Sequence, residues 1–131
     1  MKLTLLGSTG SIGLSTLDVV RQNSERFQVY ALVAGRNVEE LSSQILEFRP
    51  AVAIMADDAG RDALRSRLLA AGLPRSEWPE LDAGRAAKIH ASTAPEVGFV
   101  MSAIVGVEGL EATYQAIRQK KRIGLANKEV L

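Results

Sequence analysis

Seven residues near the amino terminus, Gly7-Ser8-Thr9-Gly10-Ser11-Ile12-Gly13, space three glycines evenly and fill the gaps with hydroxyl side chains and an isoleucine. A turn of this composition removes side chains where the backbone must bend sharply. If a helix follows, its first N–H groups and the positive end of its dipole are left facing outward, a ready site for a phosphate. The chemistry on offer is therefore the grip of a pyrophosphate by backbone amides of Gly7, Thr9, Gly10, Ser11, Ile12 and Gly13, with the hydroxyls of Ser8, Thr9 and Ser11 as added donors. The pattern is G-x-x-G-x-x-G rather than G-x-G-x-x-G, so its letters are weak evidence and its setting carries the weight. A glycine turn that merely connects two elements would read the same in isolation.

A second segment, Gly35-Arg36-Asn37, stands about twenty residues past the glycines, where a dinucleotide fold places the end of its second strand. An acidic residue there would accept hydrogen bonds from the adenosine ribose of NAD, and no acid is present. Arg36 instead offers a planar fork suited to a 2′-phosphate, and Asn37 can add an amide donor while capping a helix. NADPH is favoured over NADH; the plain alternative is that Arg36 is a solvated surface residue. The third segment is Ala126-Asn127-Lys128-Glu129. Lys128 could bind an anionic group of a substrate, and Asn127 and Glu129 could hydrogen-bond the nicotinamide ribose or amide. On pattern alone they are equally a helix start, with Asn127 as the cap.

The elements that would position these residues follow from hydrophobic periodicity. Lys2 to Leu6 is a short apolar run closed by Gly7 and suits a buried parallel strand. Ser11 opens a helix whose face carries Ile12, Thr16, Val19 and Val20, ending at Asn23. Phe27 to Ala34 is a second strand. Asn37 with Glu40 resembles a capping box for a helix with an apolar stripe of Val38, Leu41, Ile45 and Phe48, stopped by Pro50. Ala51 to Ala56 is a third strand, and Asp57 and Asp58 open a helix carrying Ala63, Leu64, Leu68 and Ala71 up to Gly72. Leu73 to Leu81, with Pro74, Trp78 and Pro79, reads as a loop, followed by a short helix around Ala83 to Ala91. Val97 to Ile104 is a fourth strand. Gly106 and Gly109 precede a helix striped with Leu110, Tyr114 and Ile117, and Ile123 to Ala126 is a fifth strand. Strands alternating with helices predict an α/β fold, a Rossmann-type doubly wound and mainly parallel sheet with helices on both faces, residues 1–131 forming one domain.

Composition narrows the partners. In 131 residues, 47% are hydrophobic, 24% are charged and the net charge is +1, which describes an ordinary globular chain and gives no electrostatic case for nucleic acid or an anionic membrane. Without cysteine there are no disulfides, thiolate nucleophiles or sulfur-ligated zinc sites. No apolar run approaches the roughly 20 residues that cross a bilayer, and the opening stretch lacks the features of a signal peptide, so a cytoplasmic protein is expected. His90, the single histidine, reads as a surface residue, Trp78 as an anchor of its loop, and Lys120, Lys121 and Arg122 as a solvated helix end.

Taken together, Leu6-Gly7-Ser8-Thr9-Gly10-Ser11-Ile12-Gly13, Ser15-Thr16-Leu17-Asp18-Val19-Val20, Ala31-Leu32-Val33-Ala34-Gly35-Arg36-Asn37, Ala103-Ile104-Val105-Gly106 and Leu125-Ala126-Asn127-Lys128-Glu129 resemble, in order, the 1-deoxy-D-xylulose 5-phosphate reductoisomerase family. The resemblance implies an NADPH-binding domain of an enzyme that isomerises and reduces 1-deoxy-D-xylulose 5-phosphate to 2-C-methyl-D-erythritol 4-phosphate in the non-mevalonate isoprenoid pathway. It implies cofactor contacts at Thr9, Gly10, Ser11, Ile12, Gly35, Arg36, Asn37, Asn127 and Glu129, and a substrate contact at Lys128. It further implies a homodimer of much longer chains whose acidic ligands for Mg²⁺ or Mn²⁺ lie beyond Leu131, so that this chain alone is expected to bind no metal and complete no catalytic site. Val130 stands where the family usually has serine or threonine. The competing reading is a dinucleotide-sensing Rossmann module without catalysis; a third, another small NADP-dependent reductase, is disfavoured because the sequence has no Tyr-x-x-x-Lys pair.

Overall fold

Leu3, Thr4, Leu5 and Leu6 are all buried, because a parallel strand with neighbours on both edges and helices on both faces has no wet side to alternate with. They belong to β1 (Lys2–Leu6), the first element of a computed structural model that describes residues 1–104 and 110–125. The order continues with α1 (Ser11–Gln22), β2 (Gln28–Val33), α2 (Val38–Phe48), β3 (Val52–Met55) and α3 (Asp58–Ala70). A 3-10 turn at Arg75–Glu77 leads to β4 (Glu80–Ala83), α4 (Arg85–Thr93), β5 (Phe99–Ser102), α5 (Leu110–Arg118) and β6 (Arg122–Leu125).

The six strands lie in the order β4-β3-β2-β1-β5-β6, and each neighbouring pair is parallel. From β1 the chain steps one way through β2 and β3 to β4, then returns to place β5 on the other side of β1. Right-handed crossovers that change direction must change face. Accordingly Leu17 and Val20 of α1, Leu41 and Ile45 of α2, and Leu64 and Leu68 of α3 share one core with Leu3, Leu5 and Leu32. Ala87 and Ala91 of α4 and Ala112 and Ala116 of α5 share the other with Leu6, Ala31, Val33 and Val100. That second layer is built on alanine, and it lets the Thr4 hydroxyl donate to the Ala91 carbonyl at 2.7 Å, satisfying a buried polar group. The doubly wound fold expected from the sequence is the one observed.

Five expectations change. The segment from Leu73 to Leu81 is not all loop: Glu80 begins an edge strand paired only with β3. Its sequence Glu-Leu-Asp-Ala carries no apolar run, since a strand at the rim has less to bury. The helix expected around Ala83 to Ala91 runs from Arg85 to Thr93, and the fourth expected strand is shortened to Phe99–Ser102. The buried face of α1 is Gly13, Leu17 and Val20, while Ile12 and Val19 are 44% and 55% exposed. In α5 the packed residues are Ala112, Thr113 and Ala116, and the larger stripe of Leu110, Tyr114 and Ile117 faces out. At Gly13 of α1 and along the buried face of α5, close packing selects small residues over the larger apolar ones nearby.

Candidate cofactor-binding site

At β1 the strand order reverses, and the carboxyl ends of β1, β2 and β5 meet there, the place where open parallel sheets bind ligands. Leu6 is in register with Val33 on one side and Ser102 on the other, so the three strands end level. The glycine turn sits on this edge. The N–H groups of Gly7 and Ser8 both donate to the Val33 carbonyl, at 2.8 and 3.0 Å. That shared acceptor stitches the start of the turn to the end of β2, and it also uses up the first two amides of the motif. Gly7 therefore serves by conformation. Its φ is +88°, and a Cβ on it would lie 2.9 Å from the Ala103 carbonyl oxygen at the end of β5.

The glycines of the motif divide by what surrounds them. A Cβ on Gly13 would lie 2.1 Å from the Gly7 carbonyl oxygen, so this glycine lets α1 press onto the turn that precedes it. A Cβ on Gly10, or on Gly35 across the edge, would meet nothing within 4 Å. Gly10 has φ −81°, which any residue adopts, so neither crowding nor backbone shape among the described residues accounts for it. What it leaves is open space in front of a helix start. No side chain caps α1 there, and Gly10, Ser11 and Ile12 are exposed. The first helical bond in that turn is Leu14 N–H to the Gly10 carbonyl at 2.9 Å, which leaves the amides before it pointing outward. Thr9 is half-buried. Ser8 is fully buried, so the hydroxyl the sequence offered as a ligand donor is turned into the protein instead.

The second turn is built from side chains. Asn37 Oδ1 accepts from the Glu40 N–H at 3.1 Å, giving α2 its cap and leaving the amide nitrogen of Asn37 free to donate elsewhere. The Glu40 carboxylate does not return the bond; it accepts from Gln44 at 3.4 Å, so only half of a capping box forms. Arg36 is exposed and has no ion-pair partner among the described residues. Among the described residues, a guanidinium without an ion-pair partner and a free amide donor thus stand beside a helix start that no side chain caps.

Two contacts tie the helices behind these turns. Gln44 of α2 is buried, and its Nε2 donates to the Ser8 carbonyl at 2.9 Å. At the outer surface Arg21 of α1 bonds both oxygens of Glu47 of α2, and this hydrogen-bonded guanidinium holds the Glu47 carboxyl below the usual carboxylate range. Beneath the turn, Ser8 Oγ, Gln44 Oε1 and Ser102 Oγ are buried without a hydrogen-bond partner among the described residues.

A hollow of about 520 Å³ lined by Lys2, Arg21, Gln28, Tyr30, Glu47 and Phe48 lies at the opposite end of the strands, where no helix start converges. Arg21 there is already engaged by Glu47 and Asp18. His90 is exposed, and Trp78 anchors its loop through an Nε1–H bond to the Leu73 carbonyl at 2.8 Å. Gly106, Gly109, Asn127, Lys128, Glu129 and Val130 lie outside the described residues. The sequence reading missed Gln44. Its signal was a polar residue in step with the apolar stripe, three residues after Leu41 and four before Phe48.

Comparison with known proteins gives a single answer. The model of the family described as 1-deoxy-D-xylulose 5-phosphate reductoisomerase matches residues 3–131. A reductoisomerase of that name from Solibacter usitatus (strain Ellin6076) is 61% identical over 129 residues, covering 98% of this chain and 32% of its own. One from Symbiobacterium thermophilum is 50% identical over 130 residues, covering 98% and 33%. Among solved structures, the enzyme from Zymomonas mobilis in complex with NADPH superposes with a TM-score of 0.86 at 39% identity, over 98% of this chain and 32% of that one. A DOX-P reductoisomerase in complex with magnesium gives 0.90 at 35% identity, over 99% and 31%. The chain spans about a third of the length of the relatives it matches.

Proposed function

The chain belongs to the 1-deoxy-D-xylulose 5-phosphate reductoisomerase family, and from that premise we propose that residues 1–131 are its NADPH-binding domain. The observation that carries the proposal is the space in front of α1: an uncapped helix start with Gly10 open before it, level with an arginine on the neighbouring turn that has no ion-pair partner among the described residues. The cradle fits a pyrophosphate, because a Cβ at Gly10 would fill the place where backbone amides face outward. The amides of Thr9, Gly10, Ser11 and Ile12 hold the pyrophosphate; Gly7 and Gly13 shape the turn that presents them. Gly35 leaves room for the adenosine, while Arg36 and the free amide of Asn37 hold the 2′-phosphate.

By position in the family motif, Asn127 and Glu129 take the nicotinamide side and Lys128 an anionic group of the substrate. When bound, the nicotinamide supplies a hydride; this chain binds and orients it. Among the described residues no group of three or more histidine, aspartate or glutamate side chains could hold a metal ion, so no step is assigned to a metal on them. For the full-length protein the same reading gives reduction and isomerisation of 1-deoxy-D-xylulose 5-phosphate with NADPH and Mg²⁺ or Mn²⁺, by a cytoplasmic homodimer of the non-mevalonate pathway. No helix among the described residues is long and apolar enough to cross a membrane. The 131-residue chain binds the cofactor without turning it over.

Calorimetric titration of the chain with NADPH and with NADH tests the proposal. NADPH binds more tightly, and Arg36→Ala removes that preference, weakening NADPH by roughly 10- to 100-fold, the range of a charge-assisted pair, while NADH is unchanged. Equal binding of both nucleotides by the parent chain refutes the 2′-phosphate assignment. Steady oxidation of NADPH by the 131-residue chain, given the sugar phosphate and Mn²⁺, refutes the claim that it is a binding unit alone.

A further inference from the structure

We infer that Gln44 is a positioning residue for the phosphate-binding turn, fixing the direction of its amides before any nucleotide arrives. The inference rests on the nucleotide-binding reading above and extends it to a residue that touches no ligand. Gln44 is 4% exposed, on the inner face of α2 beside Leu41 and Ile45, where an apolar side chain would ordinarily pack. Its Nε2 donates to the Ser8 carbonyl at 2.9 Å, and only the nitrogen end of the amide can meet a carbonyl, so the acceptor sets the side chain's orientation.

The consequence follows from peptide planarity. The Ser8 carbonyl and the Thr9 N–H belong to one trans peptide and point in opposite directions. Holding the carbonyl toward α2 turns the Thr9 N–H away from it, toward the open edge. On its other side Ser8 is held by its own N–H, bonded to the Val33 carbonyl at 3.0 Å. The residue at the base of the turn is thus clamped between β2 and α2. A packing role alone does not explain the choice of residue: Gln44 Oε1 is buried with no partner among the described residues, an unfavourable arrangement that an isosteric apolar side chain would avoid.

The test uses Gln44→Met, which keeps the volume and loses the donor, in the 131-residue chain. The variant weakens NADPH and NADH by the same factor, about tenfold, because both share the pyrophosphate, and leaves their ratio at the parent value. A folded variant with unchanged affinities overturns the inference, and so does a loss confined to NADPH, which would place Gln44 on the 2′-phosphate. Backbone ¹⁵N order parameters of the ligand-free parent chain give a reading that does not depend on the variant folding. Thr9 to Ile12 are as ordered as the middle of α2; a mobile turn that becomes ordered only with nucleotide overturns the inference. A parent chain that binds neither nucleotide counts instead against the function proposed above, while an ordered free turn still supports the clamp.

Discussion

The turn after β1 and the turn after β2 stand side by side at the carboxyl edge of the sheet. In the first, backbone closes on backbone, with Gly7 and Ser8 donating to the Val33 carbonyl and Gly13 pressed against Gly7. In the second, a side chain does the closing, Asn37 capping α2 while Gly35, Arg36 and Asn37 stay exposed. A turn meant to present amides must be rigid and free of side chains, because amides cannot reach; a turn meant to present a guanidinium needs only an anchored base and a long side chain. Crowded positions of the first turn should fail through the fold, and the open positions of both turns chiefly through affinity.

Gly13→Ala draws the comparison most sharply. Its Cβ lands on a backbone carbonyl that no rotamer change can move, so destabilisation of about 3 kcal/mol or more is expected, as for severe overpacking. For a chain of this size that lowers Tm by roughly 10 °C, measurable by circular dichroism, and abolishes NADPH binding. A variant of parent stability would show that α1 can slide off the turn.

Gly10→Ala is the counterpart. With nothing within 4 Å and an ordinary φ, the added methyl leaves Tm within a few degrees of the parent, yet it fills the space before the helix start and weakens NADPH about tenfold. Parent affinity in this variant would mean that the ligand does not approach Gly10.

In the second turn, Asn37→Ala removes a cap and lowers stability by about 1 kcal/mol. Asp57→Ala, which removes the equivalent cap of α3 from Gly60, costs a similar amount and serves as its control. Thermal melts should show the two alike, whereas titration with NADPH separates them, with only Asn37→Ala binding more weakly.

Glu47→Gln has the smallest expected effect. Arg21 keeps the Glu47 carboxyl below its ordinary range, so the pair adds stability above the carboxylate pKa, and that contribution is lost as the pH falls and Glu47 protonates. Both partners are about half exposed, so the variant changes Tm slightly at neutral pH and not at all in acid. A large Tm change at neutral pH would show that this surface tie, rather than the buried core, holds α1 against α2.

Much of this edge was legible from residues alone. The two turns were, because glycines, an N-cap asparagine and the missing acid at the end of β2 each act locally. The strands next to them were legible because buried parallel strands are apolar throughout. The edge strand at Glu80 was not, since its residues bury little and its pairing with β3 depends on a distant segment. Nor were the packing faces of α1 and α5, where Gly13 and Ala116 win their places by smallness that hydrophobicity does not register. Gln44 was hidden for a related reason: a buried polar side chain takes its meaning from its acceptor, and Ser8 lies 36 residues away.

The most direct measurement is a ¹⁵N–¹H spectrum of the chain titrated with NADPH, read amide by amide. The account predicts the largest shifts at Thr9, Gly10, Ser11 and Ile12, with Gly35 to Asn37 close behind, while Gly7 and Ser8, already bonded to Val33, move little. Shifts gathered instead around Lys2, Arg21 and Tyr30 at the far end of the strands would contradict it.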